Sequence, residues 1–209
     1  MNTLDWEKEE IIIEDENKSE KRTVYYYIVD GKRLKYEELR PITCEEILER
    51  IVNIFNSESY SIIINRCSCG YWMCDSVLAA VEENEMVTTW KLYNIHDEEI
   101  FAEYEFDSYQ YYEVMKSLFE DAKEQFWDET YPQKQVAYLF YWKNGETHPE
   151  RFDEKSYQEE LLKYWKYQTE TNNNEPEYFE DIRNNDFYRI KNDKWEEVAE
   201  LNWPPRADM

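Results

Sequence analysis

Cys67-Ser68-Cys69-Gly70-Tyr71-Trp72-Met73-Cys74 brings three thiols into eight residues, and sulfur ligands this close together are the raw material of a zinc site. A tetrahedral site on Cys67, Cys69 and Cys74 needs a fourth ligand, which Cys44 or His96 would have to supply. Structural zinc sites usually join two ligand pairs from separate parts of the chain, and no second pair occurs here. Packed or surface thiols are therefore the plainer expectation, with zinc as the alternative.

Nucleophilic chemistry has little to work with. His96 and His148 are the only imidazoles, so a Cys-His or Ser-His pair must use one of them. His96 precedes Asp97-Glu98-Glu99, whose charge would favour its protonated form and make it a poor base. Cys44 falls in the first turn of an expected helix, where the dipole favours a thiolate, but nothing basic flanks it and a buried filler is expected. Asp and Glu number 48, so accidental carboxylate pairs abound and none singles out a hydrolytic site. With only 3 glycines the chain cannot build the Gly-rich loops that cradle phosphates. No catalytic residue is assigned, and a small zinc-binding or hydrolytic protein is kept as an alternative.

Aromatics interleave with acids. Tyr25-Tyr26-Tyr27, Tyr71-Trp72, Tyr138 to Trp142 and Tyr164-Trp165 are runs in which neighbouring strand residues would point to opposite faces. Either some of these rings are exposed, as interface anchors are, or the sheet is covered on both faces. Tyr71, Trp72, Asp97, Glu98 and Glu99 are the candidate partner-binding residues.

The stretch from Cys67 to Tyr112 carries a Cys-x-Cys-Gly-x-x-x-Cys turn, then a Trp-containing strand and a Phe106-Asp107 step into a helix. It resembles uncharacterised bacterial proteins that look like small toxin-immunity partners, over less than a quarter of the chain. The resemblance implies binding and carries no reaction onto these residues.

Lys and Arg number 24, leaving a formal net charge of -24. Direct nucleic-acid binding is disfavoured because it would add self-repulsion instead of releasing counterions, whereas a basic protein partner is favoured. A nucleic-acid mimic is the alternative. Surface scaling gives roughly 440 Å² per net charge, against on the order of 100 Å² on B-DNA, so mimicry needs the acids gathered on one face. Denser runs occur at Asp5 to Glu16, Asp97 to Glu105 and Glu175 to Asp181. No apolar stretch approaches the roughly 20 residues of a membrane span, and Met1 to Glu10 lacks the basic and apolar regions of a secretory signal. The cytoplasm, with reduced thiols and no cofactor, is the expected address.

The elements follow from periodicity. Residues 1–20 are expected as a ragged arm or edge strand, and Thr23 to Val29 with Arg33 to Tyr36 as a hairpin closed by Asp30-Gly31. Thr43 and Glu46 make a capping box for a helix over 44–55, with Ile47, Ile51, Ile54 and Phe55 on its apolar face. Strands are predicted at Tyr60 to Asn65, Val77 to Val81, Val87 to Tyr93, Ile100 to Phe106 and Gln135 to Trp142. Asp107 is expected to cap a helix over 108–126, and Asp153 a second one carrying Tyr157, Leu161 and Trp165. The expectation is an α+β fold, a mainly antiparallel sheet with two longer amphipathic helices packed on it. Residues 1–170 would form the main domain with its acidic arm, and 171–209 a linker and small closing element. Its expected function is that of an acidic inhibitor or immunity-type protein docking on a basic macromolecule.

Overall fold

The acidic arm is not ragged. In the computed structural model, which describes residues 1–15, 18–67, 74–97, 99–130, 133–142, 145–172, 176–191 and 194–198, β1 (Leu4–Asp15) pairs antiparallel with β2 (Lys18–Val29) along its whole length. Tyr25, Tyr27 and Val29 bury themselves beside Leu4, while Tyr26 lies under the Arg33 guanidinium at 4.4 Å and the Lys35 ammonium at 4.9 Å. Asp30 and Gly31 turn the chain into β3 (Lys32–Arg33) with φ of 51° and 73°, the positive values that this two-residue turn requires.

After β4 (Leu39–Arg40), the helix expected over 44–55 is cut short. Thr43 N–H donates to Glu46 Oε2 at 2.9 Å, so the capping interaction forms, but α1 covers only Cys44–Leu48. The chain continues as β5 (Arg50–Asn53), which pairs with β6 (Asn56–Cys67) from Arg50↔Ile62 to Val52↔Tyr60. Ile51 and Val52 are β-branched and prefer a strand once a partner edge is present, so tertiary pairing overrides the helical spacing.

A meander follows. β7 (Ser76–Glu83), β8 (Val87–Asn94) and β9 (Ile100–Asp107) each pair antiparallel with the strand before. Asp107 Oδ1 accepts the Gln110 N–H at 3.0 Å and so caps α2 (Ser108–Thr130). β10 (Gln135–Trp142) turns into β11 (Thr147–Asp153), which the sequence pattern had not marked. α3 (Tyr157–Asn172) is opened by Ser156, whose hydroxyl donates to Glu160 at 2.6 Å, not by Asp153. β12 (Pro176–Asp181), β13 (Asp186–Lys191) and β14 (Lys194–Val198) complete the described chain, and β12 pairs with β10.

Among the described residues the strands form a sheet in the order β14-β13-β12-β10-β11-β5-β6-β7-β8-β9, with β4 beside β6, and a separate sheet β1-β2-β3. The α+β expectation is overturned. Strands account for 55% of the chain and helices for 25%, so this is a mostly antiparallel β fold and not two long helices laid on a sheet. Part of the reason lies in polar residues: Lys8 to Glu10, in the stretch expected as an arm or edge strand, and Lys21 and Arg22, ahead of the run expected from Thr23, each find a ladder partner across the hairpin.

β10 divides the core. Ala137, Leu139 and Tyr141 join one cluster with Trp90, Phe106, Phe119 and Phe126, whereas Tyr138, Phe140 and Trp142 join a second with Leu161, Trp165 and Phe179. The strand is covered on both faces, so its adjacent aromatics are core residues and not anchors for a partner. No helix among the described residues is long and apolar enough to cross a membrane.

Candidate protein-binding surface

The cysteine turn joins β6 to β7. Cys67 N–H donates to the Asp75 carbonyl at 2.8 Å, and Cys67 and Cys74 are both half-buried and not in disulfides. Cys69, Tyr71 and Trp72 lie outside the described residues. Cys44 sits in the first turn of α1 with its Sγ 3.6 Å from Glu129 Oε2. Burial pushes its thiol pKa well up, and the Glu129 carboxylate adds to the effect. It is a core thiol and not a reactive one. His96 does stand at the turn, with Nε2 3.6 Å from Asp75 Oδ1. Among the described residues no group of three or more His, Cys, Asp or Glu side chains is arranged to hold a metal ion.

The β8–β9 turn is braced against the start of β7. Ile95 N–H donates to the Ser76 carbonyl at 3.1 Å, and Asn94 Oδ1 accepts the His96 N–H at 2.9 Å. Asp97 and Glu99 are exposed on it, and Glu98 lies outside the described residues. The next two residues are apolar and also exposed, Ile100 at 42% and Phe101 at 49%. Ile100 is directly opposite Tyr93, whose ring lies 5.1 Å from that of Phe55, itself exposed beside Ile54 in the β5–β6 turn. Sequence reasoning missed Ile54, Phe55, Ile100 and Phe101 because their spacing fits the buried face of a helix or a strand; in the fold the first two fall in the β5–β6 turn and the last two open the terminal strand β9, where they are exposed.

Further along β9, Glu103, Glu105 and Asp107 are exposed on one face by strand alternation. Lys91 lies opposite Glu103, yet its ammonium is taken by Glu82 at 2.6 Å. Carboxylates on a terminal strand deter a second sheet from adding to it, which accounts for part of this pattern without any partner.

Basic side chains are withdrawn from the surface in compensation. Arg50, Arg66 and Lys123 are buried, against Glu46 and Glu180 among the carboxylates. Arg50 stacks its guanidinium over Tyr60 at 4.5 Å and stands 5.5 Å from the Phe119 ring. Lys123 Nζ lies 2.8 Å from Glu180 Oε1, while Tyr141 donates its hydroxyl to Glu180 Oε2 at 2.7 Å. The exterior is therefore slightly more negative than composition implies. None of these buried ions had a signal in the sequence, since a charge next to apolar residues looks the same whether it faces in or out.

No protein-family model matches the chain, and neither a curated protein nor a solved structure matches it.

Proposed function

We propose that this protein acts by binding, in the manner of an inhibitor or immunity-type protein, and docks on a basic macromolecular partner through the β8–β9 turn and the adjoining edge of the sheet. The observation that carries the reading is that the exposed apolar residues Ile100 and Phe101 directly follow the exposed carboxylates of Asp97 and Glu99, with the exposed Phe55 against Tyr93 opposite Ile100 and the Phe101 ring edge-on to Tyr36. Apolar anchors supply residence time, and a rim of like charge speeds encounter with a partner of opposite charge. The neighbouring Glu103, Glu105 and Asp107 extend that field along β9. Thiols outside any disulfide at Cys44 and Cys67 suit a reducing compartment such as the cytoplasm.

The test is affinity capture from the native cell on immobilised protein, run beside a variant carrying Asp97→Asn, Glu99→Gln and Phe101→Ser. A basic protein retained by the parent and lost from the variant supports the surface. Retention of the same set of proteins by both would remove it.

A further inference from the structure

A second feature, which shares no residue with that surface, is a cleft of about 450 Å³ between α2, Trp6 of β1 and the turn joining β12 to β13. Its size falls within the range of small-ligand sites. Both walls are held in place. On the turn side, Asn184 and Asn185 N–H groups donate to the Asp181 carbonyl at 3.2 and 2.9 Å, and Asn185 adopts a left-handed φ of 55°. On the helix side, Lys123 is anchored by Glu180, and its ammonium also reaches Asn185 Oδ1 at 3.3 Å, tying helix to turn.

Most charges lining the cleft already have internal partners. Asp121 accepts from Lys8 Nζ at 2.7 Å and from the Tyr25 hydroxyl at 2.8 Å. Lys123 is shared between Glu180 at 2.8 Å and Glu120 at 3.3 Å, which leaves an excess of negative charge beside it. Two groups stand apart. Glu124 is exposed and makes no ion pair among the described residues, and Arg183 is exposed with its guanidinium 5.5 Å from the Trp127 ring. The indole face thus already receives a guanidinium, supplied by the chain itself at a distance where the attraction is weak and the contact exchangeable.

We infer that this cleft is a receptor for an organic cation, a guanidinium or alkylammonium group, which takes the Trp127 face in place of Arg183 and pairs with Glu124. The cation can come as a free small molecule or as a basic side chain; the recognition chemistry is the same. A neutral ligand would forgo the carboxylate, and an anion would meet Glu120, Asp121 and Glu124 together.

Calorimetric titration of the full chain tests this with agmatine as the free cation, an acetylated and amidated Ala-Arg-Ala tripeptide as the side-chain source, and butylurea as the neutral control. Agmatine or the tripeptide is expected to bind at one site and butylurea not to bind. Arg183→Met should tighten cation binding and Glu124→Gln should weaken it, each by about two- to fivefold, because one removes an internal competitor for the ring and the other an exposed ion pair. Both residues are exposed, so neither change threatens the fold, which circular dichroism would confirm. Tighter binding of agmatine assigns a metabolite-like ligand, and tighter binding of the tripeptide assigns a partner's side chain. Failure of both cations to bind at millimolar concentration, equal binding of butylurea, or affinities unmoved in both variants would overturn the inference.

Discussion

Arg66 Nη1 lies 3.1 Å from Glu46 Oε1, and both side chains are almost wholly withdrawn from solvent. Arg40 closes the other side of the same carboxylate with Nη1 and Nη2 at 2.8 and 2.7 Å, so one glutamate joins β4, α1 and β6. The short helix α1 is held in this place by that glutamate more than by its own hydrogen bonds, since one turn of helix is marginal alone.

Removing the carboxylate should cost far more than a surface ion pair would. Glu46→Gln leaves buried Arg66 with only the more exposed Glu49 carboxylate, 3.5 Å from Nη1, and the expected loss is about 2–3 kcal/mol in a urea titration. A loss within about 0.5 kcal/mol would mean that water reaches this cluster.

The same carboxylate imposes a pH dependence. Burial works to raise its pKa, but the hydrogen bonds and charge of Arg40, with help from Thr43 N–H and Arg66, outweigh it and hold the carboxyl below its ordinary value. A group depressed in the folded state stabilises above its unfolded pKa, about 4.3 for Glu, and loses that contribution as pH falls through the lower folded value. The difference in stability between parent and Glu46→Gln should therefore shrink on acidification below about pH 4.

His148 gives the opposite sign. Burial disfavours its protonation, but Glu150, 3.1 Å from Nε2, and Glu49 outweigh that and hold the imidazole above its ordinary pKa. Its contribution is complete below the unfolded value of about 6.5 and is lost as pH rises through the folded one. Thermal unfolding of His148→Gln should differ from the parent at pH 5 and converge with it in mildly alkaline buffer. Parallel curves at all pH values would refute the linkage.

The second core cluster rests on Phe140, fully buried among Trp142, Tyr164, Trp165 and Phe179. Phe140→Ala should cost about 3–5 kcal/mol through lost burial and a cavity. Tyr167→Ala, at a ring 61% exposed on α3, should change stability by less than about 0.5 kcal/mol. Equal effects would mean that α3 is not packed on this cluster.

For the docking surface, raising salt from 50 to 500 mM should slow association with the captured partner while dissociation changes little, because exposed charges act at long range and anchors at contact. Asp97→Asn with Glu99→Gln should reproduce the slowing at low salt, and Phe101→Ser should instead speed dissociation. An association rate indifferent to salt would make the acids a solubilising coat.

Local chemistry alone determined a good deal of this protein. Asp30-Gly31 announced its hairpin because both positions need positive φ, Thr43 and Glu46 announced a helix start, and the alternation in β9 announced a half-buried strand, all of which depend on neighbours in the chain. Charge and glycine count likewise needed no fold. What only the tertiary structure decided was pairing and burial. Ile51 and Val52 became a strand because Ser61 and Tyr60 offered an edge, and Tyr138 to Trp142 became core because helices cover both faces of β10. Likewise Arg50, Arg66 and Lys123 went inward because tyrosines and carboxylates distant in sequence met them there. Each of those outcomes turns on contacts between residues beyond the reach of one helical turn or one strand's alternation, to which periodicity is blind, and the same is true of the exposed Phe55, Ile100 and Phe101 on which the docking surface depends.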